Sequence, residues 1–428
     1  MASSICPWSV VKQKVMDLIG CARSATEEHE RAELHGALHA LLVATREGGN
    51  LTHSKATHEA RLVSGRARLH DLCKGIHDAR SQRANLSDSP ADKVLTTRAR
   101  CLTNAPKVND ANSAESELHQ LHSAAALKEA VTKMLGAPPE SRIEPVFHQS
   151  WKTCTLPKKQ GAWRRHCEHV LSPQWRMQLF TDVGNRDVVA THFPSFLPLY
   201  DAYNMTIQRV DAARLFYLYL YGGVYADLDM LCLRPLEELT MPAGHVTLAY
   251  KVGDSVLRGA NCTDARCYLH KAAGMRSGLW QGVPNAFIAA PRRHPFIGFL
   301  IHRLGAAANG VYRGNPSPIV STGPAFLGQA MHEWVRHPAV RAASSSLLHI
   351  HPLGRVYTHR TGGAFPHPCG SALSDVPRGG PKEQRKAFEN CARQLSRSVL
   401  TTFWAHSWVH TWQLELLAQK VTASGAMA

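Results

Sequence analysis

The sequence predicts an α/β domain with a largely parallel sheet over residues 141–428, preceded by a mostly helical extension over 1–140. Two patterns carry this division. After Pro139 short apolar runs alternate with helical stretches, the signature of strand–helix–strand units. Before it, the chain is rich in Ala, Leu, His and charged residues, and its leucines recur at helical spacing. The composition agrees. With 44% hydrophobic and 19% charged residues, collagen, coiled coil and wholesale disorder are excluded.

In the extension, Leu34, Leu38, Leu41 and Leu42 mark one helical face, and Leu62, Leu69 and Leu72 another. Ser87 to Ala91 and Asn104 to Ser113 read as linkers, and a helix from Glu115 to Leu135 ends at Gly136-Ala-Pro-Pro. In the second part, Ile143 to His148 reads as a strand, Arg164 to Leu171 as part of a helix, and Arg176 to Phe180 as a second strand. Arg209 to Tyr221 is a helix dense in aromatics, stopped by Gly222-Gly223. Val224 to Ala226 is a third strand, running into Asp227-Leu228-Asp229. In sheets of this kind, ligands bind beyond the carboxyl ends of strands.

Lys and Arg number 49 against 33 Asp and Glu, a formal charge of +16. Residues 1–140 carry 18 basic and 16 acidic residues, so the remainder, at +14, holds nearly all the excess. Such a domain favours anionic partners. No helix-turn-helix, RRM or finger pattern supports nucleic acid as that partner. No apolar run approaches the roughly 18 residues of a membrane span, and the start of the chain lacks a basic n-region and apolar h-region. On these grounds neither an anchor nor a signal peptide is expected, which leaves a cytoplasmic location open. The eleven cysteines form no CxxC pair, against a zinc finger. Cys262 with Cys267 and Cys369 with Cys391 are either disulfides of an oxidising compartment or buried thiols. Four Asn-x-Ser/Thr sequons, at Asn50, Asn85, Asn204 and Asn261, suit a secretory location.

The segment that points to chemistry runs from Ile207 to Asp229. Alternation along a strand turns Asp227 and Asp229 to one side while Leu228 faces the core. Two carboxylates at a strand end repel unless a cation lies between them, and their hard oxygens suit Mg²⁺ or Mn²⁺ rather than zinc. Such an ion could bridge a diphosphate and neutralise the charge that develops as it leaves. As a surface pair, Asp-x-Asp is a solvated turn; behind Gly-Gly-Val-Tyr-Ala it reads as a site. Asp211 and Arg214, three apart on the preceding helix, are either an intrahelical ion pair or a polar stripe facing a cleft. In the second case Arg214 forks onto a phosphate or sugar oxygen while Asp211 accepts sugar hydroxyls.

Several segments together resemble the DXD-containing sugar transferases of glycosyltransferase family 32. They are Pro145 to Thr153, the Asp211/Arg214 pair, Gly222 to Asp229 and Arg234-Pro-Leu236. That family includes the initiating α-1,6-mannosyltransferases and the inositol phosphorylceramide mannosyltransferases. Phe193 to Pro198, Asn285-Ala-Phe and Ser321-Thr-Gly-Pro324 look closest to the second, sphingolipid branch. The resemblance covers about residues 143–412 and does not extend to 1–140.

It implies a GT-A type, Rossmann-like nucleotide-sugar-binding domain, a GDP-mannose or UDP-sugar donor, a Mn²⁺ or Mg²⁺ ion and retention of anomeric configuration. It also implies a glycan or lipid acceptor, with a peripheral membrane contact, and a Golgi location. By the same resemblance Asp229 is the principal metal ligand, and Asp227 reaches the metal or the ribose. Trp151 and its neighbours at the first strand end, His148 included, border the nucleotide. Asp211, Arg214 and Asn285 grip the donor sugar, and Tyr225 packs beside it. The family closes its site with a His and, further on, a Ser-Trp. Here His406 would complete the metal site and Trp412 would cover the leaving group, with His410 standing where the family has Gly; a different register would use Ser407-Trp408. Intact Asp211, Arg214, Asp227 and Asp229 argue against the alternative, a non-catalytic carbohydrate-binding or scaffold protein on the same fold.

Overall fold

The computed structural model describes residues 111–138, 143–250, 263–272, 283–306, 317–351, 354–358, 369 and 380–402. All lie in the compact unit that spans Thr96–Trp404; a second unit comprises Met1–Leu95 with Ala405–Ala428. The leucine-rich stretches at 34–42 and 62–72, the linker at 87–91, Cys262, His406, Ser407-Trp408, His410 and Trp412 lie outside the described residues.

A six-stranded mixed sheet forms the centre, in the order β2-β1-β3-β6-β5-β7. It comprises β1 (Val146–Ser150), β2 (Arg176–Phe180), β3 (Gly223–Ala226), β5 (Val246–Ala249), β6 (Phe287–Ala290) and β7 (Leu348–His351). Strand β1 pairs in parallel with both β2 and β3, placing Phe147 opposite Met177 and Val224. Strand β6 runs antiparallel to β3 and β5, and β7 rejoins β5 in parallel. A two-stranded ribbon, β4 (Met230–Cys232) with β8 (Leu400–Thr402), lies apart from the sheet order. The α/β expectation is therefore met, with the parallel Rossmann-like part confined to β2-β1-β3. Strand β1 begins three residues later than expected because Pro145 cannot donate to the ladder.

The main helices in chain order are α1 (Ala111–Gln120), α2 (Ala124–Leu135), α3 (Lys158–Leu171), α4 (Asp182–His192), α5 (Leu197–Asp201) and α6 (Thr206–Tyr221). They continue as α7 (Ala265–Ala272), α8 (Pro295–Ala306), α9 (Pro318–Ser321), α10 (Pro324–Arg336), α11 (Pro338–Arg341) and α12 (Pro381–Gln394). Helix α6 is the spine. Eleven of its residues are buried, among them Leu215, Phe216, Tyr217, Leu218 and Tyr219, so it has no solvated stripe. It starts where Gln208 Oε1 accepts from the Met205 amide and ends where the Gly222 amide donates to the Leu218 carbonyl. Gly222 and Gly223 take φ of 63° and 98°, a region that disfavours side chains. A Cβ on Gly223 would also collide with the Val146 carbonyl oxygen. This two-glycine hinge turns the chain straight from the buried helix into the buried strand that carries the Asp pair.

Helices α1 and α2 correct the expected boundary at residue 140. Ala114, Leu118, Leu127 and Val131 are buried in the same core as Phe216, Tyr219, Phe296 and Leu300. Leu118 also offers its carbonyl to His302 Nε2 at 2.6 Å, and Glu115 accepts from the Ser195 amide at 2.8 Å. The expected single helix is broken at Ser123, whose hydroxyl caps α2 by accepting from the Ala126 amide. Charged exposed positions made this stretch read as an accessory element; its narrow apolar face is nonetheless covered by α8. Gly298 on α8 leaves the room, since a Cβ there would come within 2.5 Å of Leu121 and 3.3 Å of Leu118.

Candidate active site

Strand β3 delivers its carboxylates to the sheet's carboxyl end. The Asp227 amide donates to the Ala286 carbonyl, the last antiparallel step with the β6 chain, and the Met230 amide then closes a turn onto the Asp227 carbonyl at 3.0 Å. Asp227-Leu228-Asp229 is therefore a turn rather than the strand end expected from alternation. Its outcome is the same. Leu228 is buried against Leu156, Leu179 and the half-buried Trp151, whereas Asp227 and Asp229 are both partly exposed.

Behind Asp227 lies a buried ionic cluster. Arg214 is 2% exposed and Asp211 7%, and their side chains meet at 2.6 Å. The Arg214 guanidinium also donates to the Asn285 carbonyl at 2.6 Å, lies 3.4 Å from Asp227 Oδ1, and sits 4.4 Å above the Tyr225 ring. Tyr225 is itself buried, and its hydroxyl donates to Asp227 Oδ1 at 2.9 Å. Asp211 accepts from the Asn285 side chain at 3.0 Å and from the Thr322 hydroxyl at 3.3 Å. Residues 74 and 111 positions away along the chain thus converge on one carboxylate of α6. Next to Thr322, Ser321 accepts from Gln208 at 2.8 Å.

This cluster sets the charge of the site. Burial is the largest influence on Asp211 and pushes it up to about 7; Asp227 adds to the rise, while Arg214, Asn285 and Thr322 oppose it. Burial likewise raises Asp227 against the pull of Arg214 and the Tyr225 hydroxyl. For Arg214 burial alone would lower the pKa, but Tyr225, Asp211 and Asp227 outweigh it, so the guanidinium stays charged. The arrangement is a fixed cation with two carboxylates, only one of which reaches the surface.

Several expected roles shift. Asp211 and Arg214 do not line an open cleft; α6 is covered on all sides, so the pair lies beneath Asp227 and holds it. Tyr225 is likewise a support under Arg214 and Asp227 instead of a wall beside a sugar. His148 is fully buried in the middle of β1, with Nε2 2.8 Å from the Gly222 carbonyl and its ring among Phe180, Tyr217 and Tyr221. Burial lowers its pKa to about 4, so it is a neutral brace of the two-glycine hinge and does not border the nucleotide. Trp151, by contrast, stands at the carboxyl end of β1, its amide donating to the Phe180 carbonyl, and Asn285 is half-buried next to the cluster.

One neighbour escaped the sequence reading. Tyr357, fully buried after β7, feels Asp227, Arg214 and Asp229 electrostatically. No motif flags it, because it reaches the site only through the fold. As for a metal, Asp227 and Asp229 present hard oxygen donors at the rim, chemistry that fits Mg²⁺ or Mn²⁺. Among the described residues no three His, Cys, Asp or Glu side chains gather to cage an ion. Water and substrate oxygens would have to complete the shell.

Comparison with known proteins agrees with this geometry. Residues 158–245, which end just beyond the Asp pair, match the family model for a glycosyltransferase sugar-binding region containing a DXD motif. The chain is 30% identical over 200 residues to inositol phosphoceramide mannosyltransferase 3 of Schizosaccharomyces pombe, covering 47% of this chain and 48% of that protein. It is 28% identical over 228 residues to inositol phosphoceramide mannosyltransferase 1 of the same yeast, covering 52% and 62%. To the mannosyl phosphorylinositol ceramide synthase CSH1 of Saccharomyces cerevisiae it is 28% identical over 198 residues, covering 46% and 45%. The chain thus spans about half the length of the curated relatives it matches. Among solved structures, the PaToxG glycosyltransferase aligns with a TM-score of 0.34 and 15% identity, over 67% of this chain and 97% of that one. The resemblance to DXD glycosyltransferases expected from the motifs is met.

Proposed function

We propose that the protein is a glycosyltransferase that moves a hexose, mannose from GDP-mannose, onto a glycolipid acceptor such as inositol phosphorylceramide. One observation carries the reading above all: Asp227 is presented at the rim of the sheet while Arg214, Tyr225, Asp211 and Asn285 lock it from behind. The names of the matched relatives supply the sugar and the acceptor class.

In this reading Asp227 and Asp229 would hold Mn²⁺ or Mg²⁺ at the turn, which when bound would supply positive charge against the departing diphosphate. Trp151 offers the nucleotide an apolar, half-buried surface. Arg214 opposes the upward pull of burial on Asp227 and holds it in place, so the carboxylate need not reorganise during the reaction. The leaving phosphate accepts the acceptor's proton, consistent with retention. The disulfides Cys167–Cys232 and Cys369–Cys391 support an oxidising, secretory compartment such as the Golgi lumen.

The test is a screen of the purified chain against nucleotide sugars with Mn²⁺, reading released nucleoside diphosphate with and without inositol phosphorylceramide. GDP release from GDP-mannose, stimulated by the lipid and abolished by chelator, is the expected result. Tight donor binding without turnover under any acceptor would instead favour a non-catalytic carbohydrate-binding protein, and full turnover in excess EDTA would remove the metal.

A further inference from the structure

We propose that helices α3 and α12 form a docking face for the anionic surface of a lipid bilayer, set beside the Asp227–Asp229 turn. The proposal rests on the lipid-acceptor reading above and adds the surface that would bring such an acceptor to the site.

Together the two helices carry eight Lys and Arg against three Glu. On α3, Lys158, Arg165 and His169 follow one another at seven and four residues and are all exposed, so they form one stripe. On α12, Lys382, Arg385, Lys386 and Arg393 are exposed as well. The helices lie side by side. The His166 ring meets Phe388 at 4.5 Å, and Trp163, Phe388 and the Cys369–Cys391 disulfide share one buried cluster. Of the acids, Glu168 is bound to the buried Arg164 at 3.2 Å. The excess is local: α1, in the same unit, carries two Glu and no Lys or Arg.

Position distinguishes this face from a merely solvated one. Helix α3 begins two residues after Leu156, which packs on Leu228 between Asp227 and Asp229. It then runs against β4, the strand that starts directly after Asp229. The N-terminal end of the basic stripe therefore lies beside the turn that carries Asp227 and Asp229. An acceptor whose headgroup stays at a bilayer surface requires that adjacency; a soluble sugar acceptor does not. Each Lys or Arg near an anionic bilayer adds about five-fold to partitioning, and the attraction is screened by salt.

The experiment is co-sedimentation of the full chain with vesicles of phosphatidylcholine alone and of phosphatidylcholine mixed with phosphatidylinositol. Binding to the mixed vesicles only, weakened by added salt, is expected. Replacing Lys158, Arg165, Lys382 and Lys386 together with Gln should weaken it by about 10²–10³-fold. Donor hydrolysis in lipid-free solution should not change, since none of the four belongs to the Asp227 cluster. Equal binding to both vesicle types, or undiminished binding by the variant, overturns the proposal. So does tighter, salt-sensitive binding to a polynucleotide lost through the same substitutions, which would make nucleic acid the partner. Vesicle binding through these residues by a chain that turns over no nucleotide sugar supports the docking face and removes the transferase reading instead.

Discussion

Replacing Arg214 with Met removes the cation at the centre of the buried cluster while keeping most of its alkyl volume. The guanidinium bonds to Asp211 and the Asn285 carbonyl at 2.6 Å each, lies 3.4 Å from Asp227 and stacks 4.4 Å over Tyr225. Removing one member of a buried ion pair costs about 3–5 kcal/mol. For a domain of this size that corresponds to a fall in Tm of about 5–10 °C. The deficit should depend on pH, because Asp211 and Asp227 can escape repulsion by binding protons. Burial already holds Asp211 at about 7, and loss of Arg214 raises it further. A carboxyl whose folded pKa lies above its unfolded value, about 4, contributes stability that is fully present below the unfolded value. That contribution is lost as pH rises through the folded pKa. The variant's deficit should thus be greatest at pH 8 and shrink at pH 5, where Asp211 is protonated. Arg214→Lys, which keeps the charge but cannot reach three partners, should lie between. Thermal melts of the three proteins at both pH values make the measurement. A Met variant that melts with the parent at pH 8, or loses the same at pH 5, would show that the cluster is not held by its charge.

Asp229→Asn should lower turnover by at least about 10²-fold yet leave the metal-free Tm unchanged or slightly raised, since it relieves a like-charged pair; a much lower Tm with turnover intact would make Asp229 structural. Reduction of Cys167–Cys232, which closes a 65-residue separation between α3 and β4, should cost about 4 kcal/mol on the chain-entropy account, and a melt unaffected by reductant contradicts it. A chain beginning at Ala137 lacks Leu118, Leu127 and Val131, which at about 1.5–3 kcal/mol each contribute on the order of 5 kcal/mol to the core. It should melt far below a chain beginning at Thr96, and equal melting would return α1 and α2 to accessory status. Chelation should abolish GDP release and Mn²⁺ restore it, measured as nucleoside diphosphate produced.

The sequence alone determined the parts that depend on neighbours in the chain. Gly222-Gly223 had to end one element and start another, because only glycine tolerates those backbone angles, and that set Val224 to Ala226 as a buried strand with Asp227 and Asp229 at its exit. Leu228 between two acids had to turn inward, which held even though the Asp pair proved to be a turn. Local sequence likewise marked β2 to the residue and the end of α6 at Tyr221, though α6 begins three residues earlier than expected. What tertiary structure decided was every relation across distance. The Asp211/Arg214 pair reads the same on a solvated helix as on a buried one; only the packing of α6 on both sides moved it from a cleft wall to a support beneath Asp227. His148 sits in a motif, yet burial made it a neutral brace of the hinge. Thr322, Tyr357 and the Cys167–Cys232 bridge joined their partners across 111, over a hundred and 65 positions. Helices α1 and α2 entered the core because α8 carries Gly298 where Leu121 and Leu118 press closest. Local rules come from the backbone and the pattern of apolar residues. Burial, and with it the charge and role of each polar group, is a property of what the rest of the chain places against it.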